Sequence, residues 1–150
     1  MKVALAQANK AFALGEVPVG AVITESTSGS IIATTHNRVE QMQDPTAHAE
    51  ILAIRKATAI LGTKLLSSCS IFVTLEPCQM CAHAIVLSRI NRLVFGAYDP
   101  SGGGIEHGSR VFQQPGCNHK PELIGGIDEV ESSNLLKKFF AQRRYRVSTL

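Results

Sequence analysis

The sequence predicts an α/β fold in which one mixed β-sheet is covered by helices on both faces. Three observations predict it. Segments with helical apolar spacing, at about 2–14, 47–60 and 129–144, alternate with short apolar runs of strand length at 19–24, 30–35, 70–75 and 92–97. With a further helix between the last two strands, the order reads α-β-β-α-β-α-β-α, a pattern that calls for layers around a sheet. No repeat, low-complexity tract or linker divides the 150 residues. One domain spanning 1–150, long enough to bury a sizeable core, is therefore expected.

Each element has its own signal. Residues 2–14 repeat apolar side chains at Val3, Leu5, Ala8 and Phe12 and stop at Gly15. Val19–Thr24 reads as a strand, the Ser/Thr-rich stretch 25–29 as a turn, and Ser30–Thr35 as the returning strand of a hairpin. Asp44-Pro45-Thr46 breaks the chain and offers capping groups to a helix over about Ala47–Ile60. Ser70–Leu75 is a buried strand, Cys78–Ser88 a helix, and Arg92–Ala97 a strand parallel to the first through a right-handed crossover. The segment 99–108, with Gly102, Gly103, Gly104 and Gly108, is a loop. A last helix covers about 129–146, with Leu135, Leu136, Phe139 and Phe140 as candidates to face inward.

Composition narrows the setting. Residues 1–14 carry Gln7, Asn9 and Lys10, so they form neither a signal-peptide core nor a membrane span of ~20 apolar residues. A cytoplasmic protein with no membrane partner is expected. The net charge is +3, but residues 132–150 hold Lys137, Lys138, Arg143, Arg144 and Arg146 with no acid. That segment carries +5, which leaves −2 for the remainder. A basic end on a near-neutral body suits a polyanion; the alternative is a solvated helix face. Of four cysteines, Cys69 and Cys117 are expected as free thiols.

The chemistry-bearing residues fall at two helix starts. His48-Ala49-Glu50 is followed by Pro77-Cys78-Gln79-Met80-Cys81. A structural zinc site fills four tetrahedral positions with protein, whereas a catalytic one holds three and leaves the fourth to water. His48, Cys78 and Cys81 are thus the candidate ligands of one Zn2+ per chain, with Glu50 left over. Cys78 and Cys81, at i and i+3, are expected one turn apart on one helix face, with Pro77 at or just before the first helical position. His48 and Glu50 would stand about 200° apart on a regular helix. They can share a site only if His48 lies at the extreme start. Zinc lowers the pKa of a bound water from ~16 towards ~7. Glu50 is the candidate to take that proton and pass it to a ring nitrogen and a leaving amine. The competing arrangement is a closed zinc module completed by His36, His83, His107, His119, Cys69 or Cys117. His83 should point away from the metal. H-x-E followed by P-C-x-x-C is a known signature of zinc nucleobase deaminases, so the match is to an already described pattern.

Residues around the motif narrow the resemblance. Glu16–Ile23 (EVPVGAVI), His36-Asn37-Arg38, 44–51 (DPTAHAEI), 73–78 (VTLEPC), Ser88-Arg89-Ile90, 95–99 (FGAYD), Asn118-His119 and 139–144 (FFAQRR) are similar to bacterial tRNA-specific adenosine deaminases. The likeness runs from the first helix to about residue 146. It implies a three-layer α/β/α cytidine deaminase-like fold with about five strands. It also implies a homodimer that converts adenosine to inosine at the wobble position of a tRNA anticodon stem–loop. By position it assigns Asn37 to reading the target nucleotide and Asp99 to the target ribose and its neighbour. Asn118, His119, Phe140, Arg143 and Arg144 become further substrate contacts. Simpler roles stand beside these: Asn37 and Asp99 as turn residues, Asn118 and His119 as loop-shaping groups, and one of Phe139 and Phe140 as core. Val17, Pro18 and Leu75 are candidates to line the pocket or the core. The chain departs from the family pattern at His83, at Tyr98 and across residues 100–108. The rival readings are a small-molecule nucleobase or nucleotide deaminase, and a non-catalytic zinc-stabilised RNA-binding protein.

Overall fold

The computed structural model describes residues 1–147, with side chains through Arg144. Arg146 of the basic segment lies outside the described side chains. The elements run α1 (Lys2–Ala13), β1 (Gly20–Glu25), β2 (Ile31–His36), α2 (Val39–Met42), α3 (Ala49–Leu61), β3 (Cys69–Leu75), α4 (Gln79–Leu87), β4 (Arg92–Ala97), β5 (Glu122–Ile124) and α5 (Glu129–Val147). A 3-10 turn at Val111–Gln113 precedes β5. The five strands form one sheet in the order β2-β1-β3-β4-β5. β1 is antiparallel to both β2 and β3, while β3, β4 and β5 are parallel. The mixed sheet and the β3–α4–β4 crossover match expectation. The short elements α2 and β5 and the 3-10 turn are additions.

The pleat sorts the two faces. Odd positions Ala21, Ile23, Ile71, Val73, Leu93 and Phe95 join Ala53, Ala57 and Ile85 in one buried cluster under α3 and α4. Even positions face α1 and α5. There Gly20 lies so close to Ala4 and Ala8 of α1 that a Cβ has no room, and Gly96 meets Ser132 of α5 in the same way. Phe12 and Phe139 close the α1–α5 seam with ring centroids 5.9 Å apart. Three layers result. Leu135 and Leu136 are half-buried, Phe139 is buried and Phe140 is exposed, so the last helix uses one of its two phenylalanines as core. Cys69 is buried in β3 and Cys117 half-buried; both are free thiols.

Candidate active site

His48 is placed by the turn before it. Asp44 Oδ1 accepts hydrogen bonds from the Thr46 N–H and hydroxyl at 2.8 and 2.7 Å, and the His48 N–H donates to the Thr46 carbonyl. These bonds leave His48 extended, at φ −69° and ψ 150°, as the N-cap of α3. The helix therefore begins at Ala49, two residues later than the sequence suggested. Because His48 is not on the helix, the 200° separation does not apply. Its ring and the Glu50 side chain reach the same pocket.

Cys78 is likewise an N-cap, extended at φ −68° and ψ 172°, while Cys81 lies in the first turn of α4. The expected pair of thiols on one helix face is corrected in this detail: one thiol comes from the cap and one from the turn. Pro77 precedes the cap and is not the first helical residue. The Cys81 backbone N–H, in the first turn of α4, hydrogen-bonds the Cys78 sulfur and favours its anion. His48 Nδ1 stands 3.7 Å from Cys78 Sγ and 3.6 Å from Cys81 Sγ. Ligand atoms on a tetrahedral zinc, bonded at about 2.0–2.3 Å, stand about 3.6–3.8 Å apart, so the donor set fits such an ion. His48, Cys78 and Cys81 could hold a metal, and no fourth His, Cys, Asp or Glu joins them among the described residues. The closed module is not what the chain builds: His83 is exposed and bonds the Gln79 carbonyl, His107 pairs with Glu76, and His119 bonds the Ile90 carbonyl.

The cluster is electrostatically tight. The hydrogen bond from Cys81, then that with His48, holds the Cys78 thiol down to about 4, while the same bond to Cys78 and burial push Cys81 up. The bond to Cys78 raises His48. Glu50 is 4% exposed, and burial pushes its carboxyl up to about 7. A cation held by its three neighbours would draw that value down again.

His48, Glu50 and Cys78 line a cavity of about 370 Å³, within the size range of small-ligand pockets. Val17 and Leu75 contribute apolar walls, whereas Pro18 is buried elsewhere. Asn37 follows β2; its N–H donates to the Val19 carbonyl, and its side-chain Nδ2 donates to Glu16 Oε2 at 3.3 Å. The sequence did not single out Glu16. This carboxylate, 1% exposed, also accepts the backbone N–H groups of Glu40 at 3.2 Å and Gln41 at 2.7 Å. It thus holds α2 and the Asn37 amide at the pocket together. Asn37 thus extends the hairpin by its backbone bond and also lines the cavity.

Asp99 lines the same cavity. Its Oδ1 accepts from the Ser101 N–H and hydroxyl and the Gly102 N–H, at 3.2, 2.9 and 3.0 Å, which is the turn role expected of Asp-Pro. A second unforeseen carboxylate holds the whole loop. Glu76, 2% exposed, accepts the N–H groups of Asp99, Ile105, Glu106 and His107 at 2.8–3.2 Å and the His107 ring Nδ1 at 2.8 Å. Gly103 packs directly on that carboxylate, with no space for a side chain. Burial alone would raise the Glu76 carboxyl; the hydrogen bonds from Asp99, His107 and Glu106 outweigh it and hold the group below its ordinary value. Its contribution to stability is therefore complete above the ordinary carboxylate pKa and is lost as pH falls through the depressed one. Glu76→Gln turns an amide NH2 towards these donors and is expected to cost about 3 kcal/mol at pH 7. Denaturant titrations should show this gap narrowing as the pH falls below about 4.5.

The family model of MafB19-like deaminases matches residues 1–144. A tRNA-specific adenosine deaminase of Agrobacterium fabrum is 46% identical over 144 residues, 96% of this chain and 93% of its own. The Bacillus subtilis enzyme of the same name is 45% identical over 96% of this chain and 88% of its own. The chain belongs to the tRNA-specific adenosine deaminase family. Its fold is that of these deaminases. A solved structure from work on A-to-I editing by tRNA:A34 deaminases superposes with a TM-score of 0.88 at 47% identity, covering 91% of this chain and 97% of that one. A guanine deaminase from Nitrosomonas europaea gives 0.81 at 26% identity, covering 93% and 82%.

Of the other residues that the family resemblance nominated, Asn37, Asp99 and Arg143 line the cavity, and Asn118, His119, Phe140 and Arg144 do not. Arg143 reaches the cavity from α5; it donates to the Gly15 carbonyl at 2.8 Å and lies 4.9 Å from the centre of the Phe139 ring. Phe140 is 47% exposed on the same helix, and Arg144 is exposed beside it. Asn118 and His119 lie between the 3-10 turn and β5 and do not line the cavity. The Asn118 carbonyl accepts from Arg89, and His119 Nε2 bonds the Ile90 carbonyl, so both shape this loop. Tyr98 is 40% exposed and packs edge-on against Phe95 and His107. No helix among the described residues is long and apolar enough to cross a membrane.

Proposed function

We propose that this protein hydrolyses the 6-amino group of adenosine to give inosine at the wobble position of a tRNA anticodon. The observation that carries this reading is a buried carboxylate, Glu50, beside a three-donor cluster at one cavity, in a chain 46% identical over nearly its whole length to a tRNA-specific adenosine deaminase. His48, Cys78 and Cys81 are proposed to bind one Zn2+ per chain, which supplies an acidified water. Glu50 accepts one proton of that water at a carboxylate oxygen and gives it to the purine ring nitrogen, then takes the water's remaining proton and gives it to the leaving amine. Two-way transfer is needed because ammonia leaves far more readily than amide ion. Asn37, fixed by Glu16, offers donor and acceptor to the target nucleotide, and Asp99 accepts from the ribose, where a 2′-OH distinguishes RNA. Asn118, His119 and Phe140 are proposed to meet the flanking nucleotides, with Arg143 and Arg144 at phosphates. A homodimer acting in the cytoplasm completes the proposal. An anticodon loop is single-stranded, so presenting its base costs at most roughly a few kcal/mol.

The test is an anticodon stem–loop with A at the wobble position, incubated beside free guanine and cytidine. Inosine from the RNA is expected. Guanine or cytidine turnover without inosine would move the chain to the small-molecule branch seen in its guanine deaminase neighbour. Bound zinc with no ammonia from any RNA would leave only a zinc-stabilised binding protein. Arg143→Ala/Arg144→Ala should weaken stem–loop binding and lower the slope of log affinity against log salt by about 1–2 units.

A further inference from the structure

A second cleft, of about 560 Å³, crosses the exposed edge of β2 between α1 and α3. Lys10 from α1, Arg38 after β2, and Arg55 and Lys56 from α3 line it, with His36 and no acidic residue. All four cations are exposed, and none has a carboxylate within salt-bridge distance among the described residues. Arg38 bonds Gln41, Lys56 reaches the Thr34 carbonyl at 3.5 Å, and Arg55 acts on Asp44 only at longer range. Of the 15 Lys and Arg, four line this cleft and five follow residue 132, in a stretch with no Asp or Glu, which leaves six elsewhere. Positive charge is thus gathered at two places. One is α5, which packs on β4 and sends Arg143 into the catalytic cavity. The other begins at Arg38, the residue next to Asn37 in that cavity, and lies at the β2 edge, three strands from β4.

We propose that this cleft is a second RNA-backbone site, holding phosphates of the strand on the side of the catalytic pocket away from α5. The proposal rests on the RNA-editing reading above. A nucleotide seated against Asn37 has chain continuing on both sides, and the cationic groove starting at Arg38 lies where one of those continuations passes. Unpaired cations that are not neutralised internally attract phosphate by counterion release, without reading sequence. The simpler role for Lys10 and Lys56 is to guard the free edge of β2 against pairing with another sheet.

Binding of an anticodon stem–loop, followed across a range of KCl concentrations, separates the two. Lys10→Ala/Arg55→Ala/Lys56→Ala should bind about 100-fold more weakly near 0.1 M salt, with a log–log slope shallower by about 2–3 units. The charge-retaining Lys10→Arg/Arg55→Lys/Lys56→Arg protein should keep the wild-type slope, as should Lys64→Ala/Lys120→Ala, which removes two cations outside both patches. A triple-alanine slope within half a unit of wild type overturns the proposal, as does an equal loss in either control protein. If wild type itself neither binds nor deaminates the RNA, the editing reading falls and the groove falls with it. Wild-type activity beside an unchanged triple variant removes the groove alone.

Discussion

Glu50→Gln should lower the deamination rate by about 10²- to 10⁴-fold while one metal ion per chain stays bound. The substitution changes neither size nor the three-donor cluster. His48, Cys78 and Cys81 provide the ligand atoms, and Glu50 stands beside them without joining. A glutamine in its place can keep the local hydrogen bonds, but it cannot carry a proton between two sites. The effect should fall on kcat, with substrate affinity little changed, because the cavity walls formed by Val17, Asn37 and Leu75 are untouched. Metal analysis and single-turnover rates on the same preparation provide the check. A glutamine protein that keeps its zinc and deaminates at the normal rate would remove Glu50 from the chemistry.

Cys81→Ala should abolish activity together with stoichiometric metal. Cys81 is fully buried, so the alanine leaves its backbone and packing nearly intact and deletes only the sulfur. Two donors, His48 and Cys78, cannot hold a tetrahedral ion as three do. Loss of a supporting partner alone typically costs about 10–100-fold in metal affinity, and loss of a direct ligand should cost more. Metal binding also stabilises the fold by mass action, so this variant should melt below the zinc-loaded wild type and no longer respond to a chelator. Full zinc content by elemental analysis, with more than a tenth of normal activity, would refute this ligand set.

Much of this was legible in the sequence because local signals agreed with the fold. Asp44-Pro45-Thr46 announced the turn that leaves His48 as a cap, and the apolar runs at 70–75 and 92–97 located the central parallel pair. What escaped was stabilised from a distance. α2 is four residues with none buried, and its first N–H groups are bound by Glu16, more than twenty residues earlier. β5 is three residues long and, among the described residues, pairs with β4 alone, so it has no periodicity to detect. Glu76 interacts with backbone donors about thirty residues later, which no local pattern reports. A usable signal did exist: Glu76 interrupts an apolar strand end just before Pro77, and a carboxylate there must find partners or remain outside. The thiols illustrate a smaller limit. Spacing alone could not distinguish two helical residues from a cap followed by a first-turn residue.

The convergence of four N–H groups on Glu76 makes the 99–107 segment a closed ring with a set number of members. Surface loops ordinarily gain and lose residues freely. Here one residue more or fewer would shift the distal donors by up to ~3.5 Å, a full bond length out of reach of the carboxylate. Side chains that point outward, such as those of Pro100 and Glu106, can vary at little cost, since both are exposed. Length is the constrained quantity in this stretch, and only the outward-pointing side chains are free.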